Sequence, residues 1–122
     1  MSAQSLMEQL VAGAEALGAT AVEVRAAGGG FVVAAATDWF VSARFPIPED
    51  FNFQALTPFP ERGENCVRPE CLVAAFAKDV VVRGRSGTRV VKGTVAPTDP
   101  LIAIVSEVPD WRRVVGFRGL VT

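Results

Sequence analysis

The segment from Trp39 to Pro60, WFVSARFPIPEDFNFQALTPFP, limits the fold more than any other stretch of this sequence. It carries Pro46, Pro48, Pro58 and Pro60, four of the chain's eight prolines. Each proline removes a backbone donor, fixes φ and pushes the residue before it toward extended conformations, so no long helix runs through here. The same segment holds Trp39, Phe40, Phe45, Phe51, Phe53 and Phe59, six of the ten aromatic residues. The expected form is a strand over 39–45 followed by a stiff, aromatic-bearing loop over 46–67. Burying one Phe side chain is worth roughly 1.5–3 kcal/mol. These rings therefore either close a core or form a surface that another molecule covers.

On either side of that segment the pattern alternates between helix and strand. Ser5-Leu6-Met7-Glu8 has the spacing of a capping box, and Leu6, Leu10, Ala14 and Leu17 share one helical face. Gly18 is a natural stop, which predicts a helix over 5–17. Thr20–Ala26 alternates, with Val22 and Val24 on one side and Glu23 and Arg25 on the other, as a half-exposed strand does. Gly28-Gly29-Gly30 turns the chain into a more buried strand over 31–36. Pro69 suits the first turn of a second helix ending near Ala77. Strands are then expected over 80–83, 88–96 and 101–108, with a short helix opening at Pro109.

Together these elements predict a single α+β domain over residues 1–122. Its order is α-βββ-α-βββ, with an antiparallel sheet of about six strands and two short helices packed on one face. A chain of 122 residues is long enough for one real core. Half of the residues are apolar. The two halves echo each other loosely, AVEVRAAGGGFVV beside DVVVRGRSGTRVV, as any two valine-rich hairpins would.

The chemistry of the chain is bounded by what it lacks. It contains no histidine and no tyrosine. That removes Ser-His-Asp and Cys-His catalysis, His-liganded zinc and the usual general base near neutral pH. Cys66 and Cys71, separated by four residues, have neither the redox C-x-x-C spacing nor enough ligands for a structural zinc. They read as reduced thiols. Neither GRSGT at 84–88 nor the glycine run at 28–30 has the spacing or context of a phosphate loop. No cofactor and no metal is expected.

The formal charge of -1 conceals an asymmetry. Residues 1–64 hold eight acids and three arginines, whereas residues 65–122 hold five acids and nine bases. Arg83, Arg85, Arg89 and Lys92 cluster on one hairpin, with Arg83, Arg85 and Arg89 expected on a common face. A pI near 5.4 is far from the footprint of a nucleic-acid binder. No run reaches the roughly 18–20 apolar residues that cross a bilayer. The first residues carry Glu8 and Glu15 and no base, unlike a secretory signal, so the expected location is cytoplasmic.

These features favour a non-catalytic protein–protein interaction module of the adaptor, chaperone or inhibitor kind. Trp39, Phe40, Phe51, Phe53 and Phe59 are its expected apolar anchors. Arg83, Arg85, Arg89, Glu49 and Asp50 are the charges expected to steer approach. Two alternatives use the same residues. One is a small-molecule binder or enzyme with a carboxylate- and Arg-lined pocket under the 46–67 loop. The other is a structural subunit of a homo-oligomer, such as a homodimer whose oppositely charged halves pair.

Overall fold

A computed structural model describes residues 2–36, 59, 62–63, 66–84, 87–109 and 113–120. The expected strand over 39–45, most of the 46–67 loop, and Trp39, Phe40, Glu49, Asp50, Phe51, Phe53 and Arg85 lie outside the described residues.

Helix α1 spans Ala3–Ala16. It starts earlier than the Ser5–Glu8 spacing predicted because Ser2 offers a better cap. The Ser2 hydroxyl accepts the Ser5 N–H at 3.1 Å, and the Ser2 N–H donates to the Ser5 hydroxyl at 2.9 Å. Glu8 accepts the Gln4 side-chain amide instead, one helical turn back. Leu6, Leu10 and Ala14 form the buried stripe.

The chain then folds into the hairpin β1 (Val22–Ala27) and β2 (Gly30–Ala35), closing at Gly28-Gly29. Helix α2 (Pro69–Phe76) runs directly into β3 (Ala77–Gly84). Strand β3 turns back through the expected hairpin into β4 (Gly87–Lys92), which ends sooner than predicted, at Gly93 with φ +87°.

The last two elements reverse the expectation. The stretch expected as a strand over 101–108 is helix α3 (Pro100–Glu107), and the residues after it form strand β5 (Arg113–Leu120) where a short helix was expected. Two local facts explain α3. The Asp99 carboxylate accepts the Leu101 N–H at 2.9 Å as an N-cap, and Pro100 takes the first helical position, where its missing donor costs nothing. Leu101 and Val105 are then one turn apart and buried.

All strand pairs are antiparallel, and the sheet order is β1-β2-β5-β3-β4. The architecture is thus the expected α+β fold on an antiparallel sheet, with five strands and three helices among the described residues. The helices cover both faces of the sheet rather than one. Leu6, Leu10, Val33, Val73, Val80, Val82, Val115 and Phe117 make one core layer under α1 and α2. Val32, Ala34, Val81, Leu101, Val105 and Val114 make the second under α3.

Strand β5 lies between β2 and β3 and is buried on both faces from Arg113 to Phe117. At Gly116 the second layer packs directly onto the backbone, since a Cβ there would stand 2.6 Å from a Val105 methyl. The two helix–hairpin units join β5 through non-equivalent strands, the second strand of one hairpin and the first of the other. Their sequence echo therefore does not correspond to a symmetric repeat of the sheet.

Candidate functional site

Three groups of charged or aromatic side chains are brought together by the fold. The first lies where α2 meets α1. Phe59 is 1% exposed, with its backbone N–H donating to the Cys66 carbonyl at 2.9 Å. The Arg68 guanidinium stacks on its ring at 4.6 Å from the centroid. A Cβ at Gly13 of α1 would stand 2.7 Å from Pro69 and 3.4 Å from Phe59, so the helices approach this closely only because residue 13 has no side chain. Phe59, expected as an exposed anchor, is thus part of the packing in this chain. Its burial adds aromatic area to the α1–α2 contact, with a cation–π contribution from Arg68.

Behind Phe59, Glu70 is fully buried between two arginines. Its Oε2 accepts from Arg68 Nε at 3.2 Å and Arg68 Nη2 at 3.0 Å, and it lies 3.2 Å from Arg113 Nη2. Burying these charges is costly, and their mutual contacts offset part of that cost. Glu70 fastens the start of α2 to the start of β5.

The second group surrounds α3. Arg118 on β5 donates through Nε to Asp79 on β3 at 2.9 Å. Its Nη1 and Nη2 reach the two Asp99 oxygens at 2.6 and 2.7 Å, a bidentate pair. The Arg118 hydrogen bonds, and then the Leu101 N–H, hold the Asp99 carboxyl below its usual range, and the same contacts push the Arg118 guanidinium further up. Neither group therefore exchanges protons near neutral pH. At the other end of α3, Arg83 donates to the Ser106 carbonyl at 2.8 Å and to the Val108 carbonyl. A cation on the last carbonyls of a helix is favoured by the helix dipole. The helix is clamped at both ends by arginines from the sheet.

Beside Arg118 lies a cavity of about 180 Å³ lined by Ala27, Gly28, Pro100, Leu101, Ile104 and Arg118. That is below the roughly 300 Å³ at which sites for drug-sized ligands begin. It sits at the turn between the first two strands.

The third group is the hairpin expected to present a common basic face. Arg83 pairs with Thr88, whereas Arg89 pairs with Val82. Neighbouring positions on a strand point to opposite sides, so Arg83 faces α3 and Arg89 faces the other way. Lys92 faces the same side as Arg89 and donates to the Ala74 carbonyl near the end of α2 at 2.7 Å. The register therefore divides the expected cluster between the two faces. The helix-capping roles of Arg83 and Lys92 had no signal in the sequence, since their partners are remote in the chain.

Among the described residues no three His, Cys, Asp or Glu side chains stand together as a metal site. No helix among them is long and apolar enough to cross a membrane. Compared with protein-family models, curated proteins and solved structures, the chain shows no match.

Proposed function

We propose that this chain is a non-catalytic binding module that captures another protein through its aromatic, proline-rich segment. Trp39, Phe40, Phe51 and Phe53 are the anchors, with Glu49 and Asp50 steering approach. The observation that carries this reading is where the fold spends its charges. Arg68, Glu70, Arg113, Asp79, Asp99 and Arg118 are engaged with one another, and Arg83 and Lys92 with helix ends. These eight side chains are committed to holding the sheet and helices together as a scaffold. Phe59 fixes one end of the aromatic segment to that scaffold. Histidine is absent from the chain, which further weighs against an acid–base catalyst. A reducing, cytoplasmic setting fits the two free thiols, Cys66 and Cys71.

The test is alanine at Phe51 and Phe53 together, with capture of a host protein compared against the unaltered chain. The expected result is loss of capture with the melting temperature nearly unchanged. A large drop in melting temperature would show that these rings belong to the core and would end this reading. So would a substantial thermal shift from a single metabolite that the same double variant abolishes.

A further inference from the structure

The two outer strands of the sheet differ in what they would meet if paired with a copy of themselves. Strand β4 reads GTRVVK, with two bases and no acid, so a second β4 set beside it brings like charges together. Its ladder also shifts register between Val80 and Val81, leaving Val91 as an extra residue. A bulge and a lysine are common ways to keep an edge from recruiting another strand. Strand β1 has neither device. It reads VEVRAA, without proline, bulge or net charge.

The hydrogen-bonding phase of β1 is settled by the Ala36 N–H, which donates to the Ala21 carbonyl at 3.2 Å. Residues 21, 23, 25 and 27 therefore exchange bonds with β2, because the bonded pairs of an antiparallel ladder alternate. The backbone groups of Val22, Val24 and Ala26 point the other way, to the outer edge. Among the described residues no strand lies there. Val24 is 40% exposed, and Glu23 and Arg25 are exposed to a similar degree on the opposite face.

We propose that β1 pairs antiparallel with β1 of a second copy about a two-fold axis through Val24, joining two sheets into one. Val24 then meets Val24, and Val22 meets Ala26, through about six backbone hydrogen bonds. Glu23 of each copy falls opposite Arg25 of the other, at the unbonded positions where side chains approach most closely. Glu23 and Arg25 already pair within one strand at 2.5 Å. In the dimer each charge has opposite charges beside it and across from it. The sequence is self-complementary about one residue, as an isologous interface requires.

The test is sedimentation velocity of the full chain over a concentration series, with Glu23→Arg and Arg25→Glu as separate variants. The unaltered chain is expected to dimerise. Each reversal sets like charges opposite one another at two symmetric places and should weaken the dimer by about tenfold or more. The two variants mixed should form a one-to-one heterodimer, and the double reversal should restore self-association. Val24→Pro is a second probe. It removes a donor that points outward, so the fold should persist while the dimer is lost. A chain that stays monomeric at the highest concentration would overturn the proposal, as would a dimer that both reversals leave intact. A monomer whose capture of a foreign protein is lost in Val24→Pro would reassign the edge and overturn it equally.

Discussion

At the β4 side of the sheet, charged side chains turn inward: Arg83 holds the end of α3 and Lys92 the end of α2. At the β1 side, Glu23 and Arg25 hold only each other among the described residues, on a surface open to water. Arginine serves on both sides, and its surroundings decide what it does. A guanidinium placed over the last carbonyls of a helix replaces water those carbonyls would otherwise need, so it becomes part of the fold. A guanidinium beside a carboxylate on an exposed strand contributes little to folding, yet its position sets which strand can lie alongside. One half of the molecule uses charge for stability, and the other half keeps it available for recognition.

The strongest way to break this contrast is Arg83→Ala. It strips two carbonyls at the end of α3 of a charged donor, and hydrogen bonds to charged groups are worth roughly 1.5–3 kcal/mol. With partial screening by water, a loss of about 2 kcal/mol in chemical denaturation is expected. Self-association should not change. If Arg83→Ala proved neutral for stability, the inward-facing half of the comparison would fail.

The contrast was only partly legible in the sequence, and the reasons are physical. Helix α1, the first hairpin, α2 and the β3–β4 hairpin follow local rules of period, capping and turn chemistry, and those rules survive in the fold. Helix α3 and strand β5 exchanged identities because LIAIV is a continuous apolar run, which both a buried helix and a buried strand can carry. Strand β5 is central and covered on both faces, so it shows no alternation to betray it. Asp99-Pro100 is the local signal for α3, an N-cap followed by proline at the first helical position. The destinations of Arg83, Phe59 and Glu70 depend on contacts between distant elements and left no local trace. Glu23 and Arg25 were visible as the exposed side of an alternating strand. Their self-complementarity gained meaning only once β1 proved to be an outer strand of the sheet.

A smaller effect, gated by pH, is expected at the other end of α3. Arg118 and the Leu101 N–H favour the ionised form of Asp99, so its folded-state pKa lies below its unfolded value of roughly 3.9. The stabilisation is therefore complete above that value and is lost as pH falls through the lower folded one. In Asp99→Asn the melting temperature should drop at neutral pH, and part of the decline below about pH 4 should disappear. An unchanged acid limb in this variant would show that the α3 clamp does not depend on the Asp99 charge.

The smallest effect bears most directly on the outward half. Glu23→Gln removes one charge of an exposed pair whose contribution to folding is on the order of 0–1 kcal/mol. For the dilute monomer, denaturation midpoints should agree to within about 0.5 kcal/mol of the unaltered chain. The same substitution leaves Arg25 without an opposite charge on either strand, so any change should fall on self-association and its salt dependence. Measuring both quantities on one variant separates the two uses of charge. A clear loss of monomer stability would mean that Glu23 serves the fold as Arg83 does, and the two sides of the sheet would no longer differ in kind.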